Sequence, residues 1–139
     1  MKLKSVHSAA SGYFVLPNAV NVSAALRTAI INENPRSANF LQQELDPVYV
    51  SANPASYPLS FFTYLIVPRS GTKVPARFRK AKGRTLSTFI DYALCAGQRA
   101  LASQGYAPLP RNLVAGGLRQ SAHIPGHVKP PTLARCQRS

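Results

Sequence analysis

YPLSFFTYLIVPR, residues 57–69, is the stretch that decides which fold this sequence predicts. Its centre, residues 61–67, combines aromatic and β-branched side chains, which are enriched in strands, and it lies between Pro58 and Pro68. Apolar side chains occupy both faces of this predicted strand. Because a strand with two apolar faces is normally covered on both, the stretch is typical of the central sheet of an α/β protein.

A basic loop and a long helix are predicted after this strand. Residues 70–84 contain Gly71, Pro75 and much of the charge, and Thr85 is the predicted N-cap of a helix that runs to about Gln104. Gly105 is expected to end this helix in a left-handed conformation, because Pro108 and Pro110 prevent its continuation. The predicted apolar stripe consists of Leu86, Phe89, Ile90, Ala93, Leu94, Gly97, Ala100 and Leu101.

Shorter elements are predicted on either side of this region. Residues 13–16 fit a strand or an extended entry, which Pro17 ends. Apolar spacings of three and four from Val22 predict a helix that Asn18 or Asn21 caps and that residues 32–36 end. Residues 48–50 are predicted to be extended. A last amphipathic helix is predicted over residues 112–123, where two glycines either allow close helix packing or weaken the helix.

Several of these motifs occur in the order found in one protein family. The pieces are GYFVLPNAVNVSAALRTA from residue 12, LDPVYVSANPASYPLS from residue 45, YPLSFFTYLIVPR from residue 57, KGRTLSTFIDYALCAGQ from residue 82, GYAPLPRNLV from residue 105 and LVAGGLRQSAHIPGH from residue 113. Together they resemble the C-terminal segment of phosphate-binding proteins, the extracytoplasmic receptors of bacterial ABC phosphate importers, which belong to the type II periplasmic-binding-protein family.

The resemblance implies a fold, a function and a set of partners. It covers residues 11–127 and implies part of a two-lobed α/β fold, while residues 128–139 form a basic tail that we expect to be mobile. The implied partners are inorganic phosphate and an ABC permease, together with an N-terminal lobe that this sequence lacks. The implied location is extracellular or periplasmic and associated with the cell envelope, although the chain carries no recognisable export signal.

One short motif resembles the phosphate-holding loop of the family. Ser70-Gly71-Thr72 follows Arg69, but the loop that holds phosphate opens a helix so that its amides converge on the anion. Here Lys73, Val74 and Pro75 follow without helical periodicity, which predicts a plain turn. The phosphate ligands are therefore expected upstream of this chain, and none of its residues is predicted to bind phosphate.

Charge is the most unusual bulk property of the sequence. It has 17 Lys and Arg residues against 4 Asp and Glu residues, for a formal net charge of +13. This excess indicates a solvated basic surface, a surface that binds nucleic acid or another anionic surface, or a field that helps to capture phosphate. Five basic residues surround Phe78 in RFRKAKGR, residues 77–84, an arrangement that suits single-stranded nucleic acid. No known nucleic-acid-binding motif accompanies it, so nucleic acid is not expected as a partner.

The sequence offers no catalytic or metal-binding pattern. Glu33, Glu44, Asp46 and Asp91 do not form a pair suited to acid–base work, and Asp91 is expected to be solvated on the polar side of its helix. His7, His123 and His127 lack partners at metal-ligand spacing. The chain is therefore not expected to be an enzyme, and no cofactor is expected. The sequence also contains no run of 18 or more apolar residues, the length that a membrane-spanning helix requires.

The two cysteines leave two alternatives open. Cys95 and Cys136 could form a disulfide that closes a loop of roughly 40 residues, as suits an exported family. Alternatively, Cys95 is a free buried thiol on the apolar side of its helix.

Two alternatives also remain for function: a basic nucleic-acid-binding module, and a truncated reading frame without an independent function.

Overall fold

The structure is a computed structural model that describes residues 5–136 of the chain. Its Cα positions group into two compact units. The first contains the chain as far as Phe62 together with Ala100–Leu113, and the second contains Thr63–Arg99 and the residues from Val114 onward. None of the described helices is long and apolar enough to cross a bilayer.

The first unit contains two α-helices, one of them short, and two short antiparallel strand pairs. Strand β1 (Val6–His7) pairs with β2 (Phe14–Val15), and after helix α1 (Ala19–Leu26), β3 (Ile30–Ile31) pairs with β4 (Gln43–Glu44). The four-residue helix α2 (Asp46–Tyr49) follows β4. Asn18 caps α1, since its side-chain Oδ1 accepts a hydrogen bond of 2.9 Å from the Asn21 amide.

A small apolar core holds the first unit together. Its buried members are Ala25, Leu26, Ala29, Val48 and Leu113, which bring the end of α1, helix α2 and residues near the unit boundary into contact. Asn112 Nδ2 also donates a 3.1 Å hydrogen bond to the Ala29 carbonyl oxygen. This bond satisfies a carbonyl just beyond the end of α1, where no helical partner exists.

The second unit is mainly helical. It contains α3 (Lys80–Leu94), most of α4 (Arg111–Ser121) and the short helix α5 (Leu133–Cys136). α3 and α4 approach closely at a glycine, because a Cβ on Gly117 would lie 2.8 Å from Leu94 Cδ1. Close packing against another helix, one of the two predicted roles of the α4 glycines, is therefore confirmed for Gly117.

The prediction of a central strand over residues 61–67 is wrong. Residues 61–67 belong to no helix or strand, and Phe61, Leu65 and Ile66 are exposed, with Ile66 at 93%. The physical reason is that strand propensity cannot form a strand without a neighbouring strand to accept and donate its ladder hydrogen bonds. The two strand pairs lie elsewhere in the sequence.

The long helix also differs from its prediction. It begins at Lys80 rather than after Thr85 and ends at Leu94, where two 3₁₀ segments, Ala96–Ala100 and Ala102–Gln104, replace the predicted continuation. Phe89, assigned to the apolar stripe, is 59% exposed. The left-handed conformation of Gly105 is confirmed, with φ of 81°.

Two further predictions were wrong in detail. Residues 48–50, predicted to be extended, lie at the end of α2, whose first turn contains Pro47, a residue tolerated there because its missing amide has no helical partner. Helix α1 ends at Leu26, well before residues 32–36, because Ile30–Ile31 pairs as a strand. The α/β class and the partial periplasmic-binding-protein fold remain predictions.

Candidate functional site

The tripeptide Ser70-Gly71-Thr72 forms a plain turn, as the sequence predicted. Thr72 donates from both its amide and its hydroxyl to the Arg69 carbonyl oxygen, at 3.3 and 2.7 Å. Gly71 has φ of 82°, and the Ser70 amide donates to the His123 carbonyl oxygen at 2.7 Å. Because α3 does not begin until Lys80, these amides do not converge on an anion at a helix start.

The buried hydroxyl groups likewise do not converge on a common anion site. Ser60 donates to the Tyr57 carbonyl oxygen, and Ser87 donates to the Arg84 carbonyl oxygen while accepting from the Val128 amide. Of the buried hydroxyls in the part of the chain that the structure describes, Ser56 Oγ alone has no partner. A desolvated tetrahedral oxyanion needs several converging donors, and one isolated hydroxyl does not supply them.

Asp91 is not the solvated residue that the sequence predicted. Its Oδ1 accepts a 2.7 Å hydrogen bond from Ser121 Oγ on α4. Desolvation by burial raises the pKa of the Asp91 carboxyl above its ordinary value of 3.8, although the Ser121 hydrogen bond and the charge of His127 oppose the shift. The carboxylate therefore joins α3 to α4. Sequence reasoning missed this bond because it requires two residues 30 positions apart to meet.

The three histidines do not form a metal site. His7 lies against Phe14 with ring centroids 5.0 Å apart, and His127 Nδ1 lies 3.2 Å from the Ile124 carbonyl oxygen. Within residues 5–136, no group of three or more His, Cys, Asp or Glu side chains is arranged to hold a metal ion. The structure thus gives these residues no common site.

The structure joins Cys95 to Cys136 in a disulfide, with the two Cα atoms 4.8 Å apart. Cys95 is the C-cap of α3, and Cys136 is a buried residue at the end of α5. This part of the predicted mobile tail is therefore held against its unit by a covalent bond and by a short helix. Residues 137–139 of that tail lie outside the described residues.

The charge of the molecule is concentrated in the second unit. Its described residues include eleven Lys and Arg side chains but a single acidic one, Asp91, which is engaged with Ser121. Residues 77–84, called the basic segment from here on, carry five of these cations, and all five side chains are exposed. Among the described residues of this unit, cations therefore far outnumber acidic side chains.

Phe78, which lies within the basic segment, is not exposed enough to serve as a platform on which bases stack. The side chain is half-buried, and its Cε1 lies 3.4 Å from the position that a Cβ on Gly83 would take. The ring thus packs over the first turn of α3. Its position weakens the prediction that bases of single-stranded nucleic acid stack on it.

An exposed apolar segment lies close to the basic loop in sequence. Tyr64, Leu65 and Ile66, called the apolar segment from here on, are 54%, 64% and 93% exposed. Three consecutive large side chains in this segment are thus left largely in contact with water. They occupy the middle of the stretch that predicted a central strand.

Comparison of the chain with models of known protein families, with curated proteins and with solved structures found no match.

Proposed function

We propose that this chain is the C-terminal segment of an extracytoplasmic phosphate receptor that serves an ABC phosphate importer. In this proposal the chain is not an enzyme and supplies scaffold to a two-lobed α/β protein. The phosphate ligands belong to a lobe contributed by other residues, and the permease is the partner that receives the phosphate. The proposal rests on the resemblance of residues 11–127 to that family and on the exposure of the apolar segment.

The exposed apolar segment is the observation that carries the proposal. Fully exposing large apolar side chains forfeits roughly 1.5–3 kcal/mol each relative to burying them. Ile66 is 93% exposed and Leu65 is 64% exposed, so these two side chains lose most of the free energy that burial would provide. A neighbouring strand and a covering helix from another lobe would recover it, because the same residues have the composition of a strand covered on both faces.

The absence of a converging donor set in the described residues also supports the proposal. The turn at residues 70–72 and the buried Ser60 and Ser87 are engaged in hydrogen bonds within the chain. A phosphate receptor whose ligands lie in another lobe would leave this segment with such an ordinary hydrogen-bonding pattern.

The experiment is an association assay between this chain and the purified first lobe of a phosphate-binding protein. We expect a complex that binds phosphate, and we expect Ile66→Asp to abolish the complex. Ile66→Asp should leave the melting temperature of the isolated chain nearly unchanged, because the side chain is already exposed.

Val20→Asp provides the matched control, since Val20 is 74% exposed but lies on α1 in the first unit. It should leave the association intact. A mixture in which neither a complex nor phosphate binding appears would contradict the proposal, as would a complex that Ile66→Asp does not disturb.

A further inference from the structure

One side of α3 carries exposed aromatic rings together with Lys82, and the basic segment precedes these rings along the chain. Lys82, Thr85, Phe89 and Tyr92 follow one another at spacings of three, four and three, which places them on one side of the helix. All four side chains are exposed, Phe89 at 59% and Tyr92 at 61%. The opposite side of α3 carries Gly83 and Ser87, which are buried.

This surface joins two chemical features that are separated along the helix. The cations of the basic segment lie at the start of α3, whereas Phe89 and Tyr92 lie two to three turns further along. At a rise of about 1.5 Å per residue, the two rings lie roughly 10–15 Å along the axis from Lys82. A partner must therefore offer anionic groups and an apolar boundary over an extended area.

We infer that this surface binds the anionic face of a phospholipid bilayer. The cations lie against lipid phosphates, while Phe89 and Tyr92 lie at the level of the headgroups, where aromatic rings are favoured because one end is apolar and the other polar. Clusters of four to eight Lys and Arg residues beside such a surface are attracted to anionic lipids. The inference does not depend on the proposed phosphate receptor.

A bilayer fits the surface better than single-stranded nucleic acid does. Nucleic acid requires rings interleaved with the cations, and the ring in that position, Phe78, is half-buried against the first turn of α3. The exposed rings lie beyond the cations instead. A bilayer presents phosphates over an extended plane, with an apolar interior directly beneath them. It therefore contacts cations and rings that are separated along the helix.

The experiment measures the partition of the full chain onto vesicles of phosphatidylcholine with and without phosphatidylserine, at low and high salt. We expect binding only when phosphatidylserine is present, and we expect salt to weaken it. Removing three charges with Arg77→Gln, Arg79→Gln and Lys82→Gln should lower the partition roughly a hundredfold, at about fivefold per charge.

A matched control separates the position of the charge from its amount. Arg27→Gln, Arg36→Gln and Arg111→Gln also remove three exposed cations, but all three belong to the first unit. This variant should retain most of the partition. Phe89→Ser with Tyr92→Ser should lower the partition while leaving its salt dependence unchanged, since no charge is altered.

Three outcomes would overturn the inference. The first is equal loss of partition in the two triple variants, which would mean that only net charge matters. The second is binding that does not require phosphatidylserine. The third is tighter binding of a labelled single-stranded oligonucleotide than of the vesicles at the same salt concentration. None of these results bears on whether the chain associates with a first receptor lobe, so failure here is distinguishable from failure of the proposed function.

Discussion

Asp91 illustrates how a single carboxylate is used in a unit that is otherwise basic. A solvated aspartate would lower the net positive charge at the surface, but this one faces Ser121 on α4 at 2.7 Å. It is the single acidic side chain among the described residues of its unit, so the five exposed cations of the basic segment outnumber it. The residue therefore links α3 to α4.

The raised pKa of Asp91 gives stability a defined pH dependence. The folded chain binds this proton more tightly than the unfolded chain, so the contribution of Asp91 to the free energy of unfolding falls as the pH rises from below 3.8 through the higher folded-state pKa. Asp91→Asn should remove this part of the pH dependence. Urea unfolding at a series of pH values measures it.

A second variant tests the cause of the same shift. Because the Ser121 hydrogen bond lowers the pKa of Asp91, Ser121→Ala should raise that pKa further and make the loss of stability with rising pH larger. Stability curves that run parallel for the wild type, Asp91→Asn and Ser121→Ala would contradict this assignment.

At the scale of elements, helix α3 requires glycine at position 83, where it passes close to the backbone of Pro125. A Cβ on Gly83 would overlap the carbonyl oxygen of Pro125, whereas a Cβ on Gly117 would meet only the tip of the Leu94 side chain. Backbone atoms held in a turn move less readily than a flexible side chain. The two glycines therefore differ in what they tolerate, although both lie in helices.

These two glycines make a paired prediction. Gly83→Ala should destabilise the chain by roughly 1–3 kcal/mol through overpacking, despite the better helix propensity of alanine. Gly117→Ala should change stability by less than about 1 kcal/mol, because the propensity gain offsets a small movement of Leu94. Thermal or urea unfolding of both variants measures the difference. Equal effects would mean that the approach of Pro125 to α3 is not tight.

The elements that sequence predicted well are those that local chemistry determines. Asn18 caps α1 through its own side chain, and Gly105 takes a left-handed conformation before two prolines. Residues 61–67 were not predictable in this way, because a strand needs partners that composition does not reveal. The exposure of Phe89 was also missed, since helical spacing gave its position on α3 but not which sector is covered.

For the candidate site, sequence alone predicted the role of the turn at residues 70–72 but not the bond between Asp91 and Ser121. The turn could be predicted because Pro75 and the absence of helical periodicity act locally. The bond could not, because it joins residues 30 positions apart on two helices. The two cysteines lay between these cases: the resemblance to an exported family suggested a disulfide, whereas the position of Cys95 on the apolar side of its helix suggested a free thiol.

At the scale of the whole molecule, the disulfide is the covalent constraint on the second unit. It joins residues separated by 41 positions, and a loop of that length removes unfolded-state entropy worth about 4 kcal/mol. Reduction, or replacement by Cys95→Ser with Cys136→Ser, should lower stability by about that amount.

Mass spectrometry after alkylation tests the bond directly. The native chain should gain no alkyl groups, because the described residues contain no free cysteine. Reduction before alkylation should add two labels. Two labels on the unreduced native chain would contradict the pairing of Cys95 with Cys136.

The whole chain also carries a basic, partly apolar surface whose parts are assigned to different partners. The apolar segment is proposed to pair with another lobe of a receptor, while the outer side of α3 is inferred to lie on an anionic bilayer. The two assignments are independent, because no residue of the apolar segment takes part in the inferred lipid surface.

Calorimetric titration of inorganic phosphate into the isolated chain tests the central claim most directly, that the donors for the anion lie in another lobe. The described residues hold no converging set of buried donors, so we expect no saturable heat at phosphate concentrations that saturate a receptor of this family. Addition of the first lobe should restore saturable binding. A micromolar dissociation constant for phosphate with the isolated chain would contradict the claim.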